Sequence, residues 1–84
     1  GTFNLGFDSF CENYSFENDF THFSADVSHY NGKDSIMLVV MNDKNNYVVT
    51  VDGEKADFTE RDKGTFEIKL PSDKKRVKIE IQLV

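Results

Sequence analysis

Tryptophan is absent, cysteine and proline occur once each, and the longest uninterrupted apolar run, Ile36 to Met41, is six residues. Each shortage excludes something. A lone Cys11 rules out an internal disulfide. It does not separate a cytosolic protein from one exported by bacteria that lack oxidative folding, because both use little cysteine. An apolar run of six is far short of the roughly 18 residues a membrane helix needs, and no signal-peptide pattern is present. The chain is then either cytosolic or an excised piece of a longer protein, and Gly1, read as a tag scar, favours the second. Basic residues are outnumbered, 10 against 15 acidic ones, giving a formal net charge of −5. Nucleic-acid binding needs a cationic footprint to release phosphate counterions. The one basic run, Lys74-Lys75-Arg76, reads as a turn and strand entrance, so no nucleic-acid partner is expected.

What is abundant is phenylalanine, with eight copies in 84 residues. A domain this small buries only about 60–65% of the surface of its unfolded chain, so large apolar rings suit its modest core. The size predicts a single domain, 1–84, without room for a large internal active-site cavity.

The pattern along the chain is one of strands. Ile36 to Met41 is apolar on both faces and predicts a central strand covered on each side. Before it, Phe23, Ala25 and Val27 alternate with Ser24, Asp26 and Ser28, and Asn31-Gly32 predicts a tight hairpin joining that strand to Ile36–Met41. After the polar loop 42–46, Tyr47, Val49 and Val51 form one face of the next strand, which ends in the turn pair Asp52-Gly53. A short strand over 55–59 carries Ala56 and Phe58 inward, and the chain turns at 61–64. Phe66, Ile68 and Leu70 then alternate with Glu67 and Lys69 up to Pro71, which cannot donate to a ladder. The last strand places Val77, Ile79, Ile81 and Leu83 inward. Residues 1–20 are aromatic-rich and predict an irregular or short-strand segment, with room for one helical turn, over one open end or edge of the sheet, and 21–84 a strand meander. Phe3, Phe7, Phe10, Cys11 and Tyr14 fall at helical spacing, but Gly6, Asn4, Asp8, Ser9 and Asn13 are poor helix formers. The fold class expected is all-β, a small Ig-like antiparallel β-sandwich of about six to seven strands.

No catalytic constellation emerges, and the chain does not read as an enzyme. Cys11, His22 and His29 are the only soft metal ligands, fewer than the four of a structural zinc site, and the two histidines differ in strand parity. A Cys–His nucleophilic pair would need a third, orienting group that nothing in the sequence sets up. The loop 42–46 lacks the glycine and the bidentate glutamate of a calcium loop. No metal or cofactor is therefore expected. Sugar-binding surfaces expose flat Trp or Tyr rings; here only Tyr14, Tyr30 and Tyr47 are candidates, and Tyr30 with Tyr47 side by side would make the platform.

Asn42-Asp43-Lys44-Asn45-Asn46-Tyr47, Val49 to Lys55 with its Val-Asp-Gly hairpin, Gly64 to Pro71 with its Leu-Pro ending, and Val77 to Ile81 together resemble the extracytoplasmic C-terminal β-domain of YfhO-family bacterial membrane proteins. More loosely they resemble Ig-like accessory β-domains of Gram-positive surface proteins and glycoside hydrolases. The likeness covers roughly 24–84. Tyr47 or a neighbour stands where that family has Trp, and 72–75 replaces its Gly-Lys-His turn. The resemblance implies a fold and an extracellular or cell-surface setting, and no catalytic residue. It leads to a non-catalytic accessory or interaction domain of a larger bacterial cell-surface or secreted protein. Its partner would be a neighbouring domain of the parent, another protein or a cell-wall glycan. The alternative is a small carbohydrate- or peptide-binding module using exposed aromatics, Tyr30 and Tyr47 first.

Overall fold

The structure, a computed structural model, describes residues 1–6, 9–29 (29 by its backbone alone) and 35–84. Within them are nine strands: β1 (Thr2–Asn4), β2 (Ser9–Glu17), β3 (His22–His29), β4 (Ser35–Val40), β5 (Tyr47–Val51), β6 (Glu54–Lys55), β7 (Phe58–Asp62), β8 (Thr65–Leu70) and β9 (Arg76–Leu83). They make a four-stranded sheet in the order β1-β4-β8-β7 and a five-stranded sheet in the order β2-β3-β9-β5-β6, with every pairing antiparallel. The protein is an all-β sandwich.

The alternation read from the sequence sets which side of each strand is buried. Phe23, Ala25 and Val27 of β3, Val49 of β5 and Val77, Ile79 and Ile81 of β9 face inward from the larger sheet. Met37 and Val39 of β4 and Phe66, Ile68 and Leu70 of β8 meet them from the smaller one. Period-2 side chains leave each strand one apolar face, and two such sheets stacked face to face bury both. Leu83 departs from its expected inward place and is half exposed, because β9 runs on past the core.

The connectivity is not the expected meander. The chain changes sheet at five of its eight connections and keeps to one sheet only in the β2–β3, β5–β6 and β7–β8 hairpins. In particular β3 and β4, expected to pair, lie in opposite sheets: β3 sits between β2 and β9, and β4 between β1 and β8. Their buried faces oppose one another across the core instead of sharing a ladder. The proposed Asn31-Gly32 turn falls outside the described residues. The Asp52-Gly53 turn is as expected, with φ of 53° and 82° at its two residues, the pair of positive angles that a primed two-residue hairpin turn requires.

The described part of 1–20 holds two strands where an irregular segment is expected. β1 completes the four-stranded sheet beside β4, and β2 is a nine-residue edge strand beside β3. A bulge hides β2 from a period-2 reading. Glu12 pairs with Asp26 and Ser15 with Ser24, so Asn13 and Tyr14 together oppose Ala25 alone, and Asn13 takes φ 51°. Cys11 before the bulge and Phe16 after it both pack on the core, although their separation of five residues would put them on opposite faces of a regular strand.

The rings of this segment join the core through tilted contacts and one another edge-on. Phe23 lies 4.7 Å from Phe16 and 6.1 Å from Phe3, Phe3 lies 4.8 Å from Tyr14, and Phe16 lies 5.9 Å from Phe20. Residues 18–20 turn β2 into β3 with three successive positive φ angles, 53°, 58° and 60°. Asn and Asp tolerate that conformation, whereas for Phe20 it costs about 1–2 kcal/mol. The Asn42 N–H donating to the Phe20 carbonyl at 2.9 Å, and the Phe16–Phe20 ring contact, offset that strain.

Candidate functional site: the outer faces of the two sheets

Strand edges are the first place a β-domain can be recognised, by addition of a partner strand. Here the four edges are blunted. β1 is three residues long and β6 two. The two longer edges, β2 and β7, each carry a register shift, between Glu12 and Ser15 and between Glu60 and Asp62. Short and bulged edges disfavour strand addition, which leaves the two outer faces.

The outer face of the five-stranded sheet is tied up in ion pairs. Arg76 on β9 reaches Glu12 on β2 at 2.9 Å and Asp26 on β3 at 3.3 Å. Asn13 of the bulge donates to the same Asp26 oxygen at 3.0 Å. His22 stands between Glu17 at 3.7 Å and Glu80 at 3.5 Å, and Gln82 donates to Glu80 at 2.9 Å. The Asn13 amide, together with Arg76, holds the Asp26 carboxyl below the usual carboxylate range. Asp52, at the end of this sheet, accepts the Lys78 N–H at 2.8 Å and pairs with Lys74 at 3.1 Å. That backbone N–H, with Lys74 second, likewise lowers its carboxyl.

These two carboxylates give a pH dependence with a definite sign. Their native pKa values lie below the unfolded ones, so the native state binds fewer protons than the unfolded state in that range. The stabilisation is present above the unfolded carboxylate value of about 4 and is lost as pH falls through the lowered native values. Urea midpoints measured through the acid range are therefore expected to fall below about pH 4. The fall should be shallower in Asp52→Asn, where the asparagine tolerates the φ of 53°. Identical acid slopes in Asp52→Asn, Asp26→Asn and the parent would contradict the assignment.

The outer face of the four-stranded sheet is different. Ile36, Leu38 and Val40 of β4 point outward in a row; Ile36 is 49% and Val40 38% exposed, with Leu38 half-buried between them. The cover expected on both sides of this strand is thus present on the core side only. At one end of the row a shallow groove of about 300 Å³ runs between Ile36 and Phe58, walled by Asp57, Thr59, Glu67 and Lys69. Arg61 lies 3.5 Å from Glu67 at the rim.

Among the described residues, those singled out from the sequence are not brought together. Tyr47 is only 6% exposed, packs edge-on to Phe66 at 5.5 Å and donates its hydroxyl to the Asn42 carbonyl at 2.6 Å. A stacking platform needs an open ring face, which Tyr47 does not present. Burial pushes its phenol above the ordinary value. Tyr30, its suggested neighbour, lies outside the described residues. Cys11 packs on the core side of β2, where burial raises its thiol pKa, whereas His22 is on the outer face. The side chain of His29 is outside the described residues. Among the described residues no group of three or more His, Cys, Asp or Glu side chains is placed to hold a metal. The loop 42–46 acts as a clasp: Asn42 accepts the Lys44 N–H at 3.0 Å and donates through its amide to the Asp19 carbonyl at 3.2 Å.

No family model, curated protein or solved structure matches this chain. The site therefore rests on its geometry alone.

Two features escaped the sequence reading. Tyr14, 58% exposed and backed by Phe3, is the open tyrosine among the described residues, and the bulge in which it lies leaves only an unremarkable Asn13 in the sequence. The aliphatic row on β4 was visible as a run but was assigned to the core. Periodicity cannot tell a covered outer face from an open one.

Proposed function

We propose that this chain is a non-catalytic accessory or interaction domain, Ig-like in architecture, of a larger bacterial cell-surface or secreted protein. It docks against a neighbouring domain of its parent through the outer face of the four-stranded sheet. The observation that carries this reading is the row of Ile36, Leu38 and Val40 on a central strand, open on its outer face in a sandwich whose edges are short or bulged. Apolar side chains grouped on one face mark interaction surfaces more often than apolar residues scattered singly. The resemblance of 24–84 to extracytoplasmic β-domains supports the setting. Carbene footprinting of the isolated chain and of the longer protein containing it tests the reading. Ile36, Leu38 and Val40 are expected to label in the isolated chain and to be protected in the longer one, with Tyr14 labelled in both. Equal labelling of the row in the two proteins would overturn it.

A second reading, a small carbohydrate- or peptide-binding module, draws on Tyr14 in place of the Tyr30–Tyr47 pair. Its ring is open to solvent and held edge-on by Phe3 at 4.8 Å. Binding of an oligosaccharide or peptide that survives Tyr14→Ala would remove that support.

A further inference from the structure

The apolar surface on the four-stranded sheet is one strand wide. Ile36, Leu38 and Val40 lie opposite Lys69, Glu67 and Thr65 of β8 on one side, and Leu38 and Val40 lie opposite Asn4 and Thr2 of β1 on the other. Residues paired in this way share a face, so the aliphatic row is flanked by polar side chains at a spacing of about 4.8 Å. Glu67 is further engaged by Arg61 at 3.5 Å. Beyond β8, β7 brings Thr59 to the same face opposite Glu67. From Ile36 to Val40 the row is about 14 Å long.

That shape decides what can cover it. Stable contacts between two free proteins bury about 800 Å² on each partner. Ile36 and Val40, 49% and 38% exposed, with Leu38 half-buried between them, supply a small part of that, so a second copy of the chain is a poor occupant. A small contact holds when its partner is tethered, because a short flexible linker keeps the two at an effective concentration in the millimolar range. A second sheet fits poorly as well. Face-to-face sheets interdigitate across several strands, and here that would bury Asn4, Glu67 and Lys69 along with the row, at a desolvation cost. An amphipathic helix touches a flat face along one stripe and keeps its polar flanks in water. The spacing agrees too: outward positions on β4 recur about every 6.8 Å, and positions four apart on a helix about every 6 Å.

We propose that the neighbouring domain covers this face with a single amphipathic helix laid along β4, its apolar residues three and four apart seated on Ile36, Leu38 and Val40. The proposal rests on the reading of this face as the contact with that domain, and adds what the domain presents. A helix is about 10 Å across, so it covers β4 and the near sides of β1 and β8 and stops short of β7. Its polar flanks lie over Asn4 on one side and over Glu67 and Lys69 on the other, where both partners stay in contact with water.

The test is site-specific photo-crosslinking in the longer protein containing this chain. A diazirine amino acid is placed singly at position 36, 38 or 40, and the captured residues are mapped by mass spectrometry. Each two-residue step along β4 is expected to move the captured position in the neighbouring domain by about three to four residues, the advance of a helix. An advance of about two, the step of a strand, would overturn the helix while leaving the docked face in place. Captured positions with no regular advance would do the same. Thr59→Arg, on β7 about 9.6 Å from β4, should leave the yield of capture from position 38 unchanged. A loss of capture in that variant would mean a partner wide enough to reach β7, and would likewise overturn the helix. Capture confined to a second copy of the chain, or none in the neighbouring domain from any of the three positions, would overturn both the helix and the docked face.

Discussion

Phe23→Ala is expected to cost about 3–5 kcal/mol of folding stability, the range for removing a fully buried phenyl ring. Phe23 has no exposed surface, and its ring is the hub on which Phe16 of β2 and Phe3 of β1 converge from the two sheets. Truncation opens a cavity where the N-terminal strands join the rest of the sandwich, and the two ring contacts, each contributing about 0.5–1.5 kcal/mol beyond area burial, go with it. Domains are stable by only about 5–15 kcal/mol, and one of 84 residues has little to spare. Urea denaturation of Phe23→Ala, with Phe23→Leu as a variant that keeps most of the volume, measures the effect. Phe20→Ala, which trims a half-exposed ring from the far end of the same cluster, should cost much less. Equal losses for Phe23→Ala and Phe20→Ala would mean that the cluster is not organised around Phe23.

Gly64→Ala is expected to cost about 2–4 kcal/mol, and Gly53→Ala only about 1–2. The two glycines have nearly the same backbone, φ 85° and 82°, so the left-handed strain of adding a side chain is common to both. Their surroundings differ. A Cβ on Gly53 meets nothing within 4 Å. On Gly64 it would stand 3.0 Å from the Met41 carbonyl oxygen and 3.0 Å from the Asp43 Cα, both backbone atoms that cannot swing aside. Moving them would disturb the 2.7 Å bond from the Met41 N–H to the Gly64 carbonyl and the loop beyond it, on which the Tyr47 hydroxyl closes. Urea midpoints of the two variants, compared at equal m-value, check the difference. Equal destabilisation would show that the 41–43 loop yields to the added methyl.

The strand positions and their buried faces were legible because each is written locally. Phe66, Ile68 and Leu70, or Val77, Ile79 and Ile81, alternate with charges, and a half-buried strand admits no other solution. The Asp52-Gly53 turn was legible for the same reason, since few residue pairs accept two positive φ angles. β2 was not legible. Its bulge at Asn13-Tyr14 breaks the period, so Cys11 and Phe16, five residues apart, both face the core, which no regular strand allows. The candidate surfaces were less legible still. Tyr47 is one of three tyrosines open to a platform role, yet it shares the face of Val49, its hydroxyl finds the Asn42 carbonyl and the ring lies inside.

The sequence by itself determined that this chain is all-β, which residues fill the core, and where most strands begin and end. Those properties follow from side-chain period and turn chemistry over a few neighbouring residues. Only the tertiary structure decided which strand lies beside which, because an apolar face is satisfied equally by a partner in its own sheet or by one across the sandwich. The β3–β4 connection shows this: the two strands expected to pair in a hairpin face each other from opposite sheets. That choice of sheet leaves Ile36, Leu38 and Val40 uncovered, with polar rows from β1 and β8 on either side of them. Proximity across the sandwich is set by how the two sheets stack, and no local pattern in the chain encodes it.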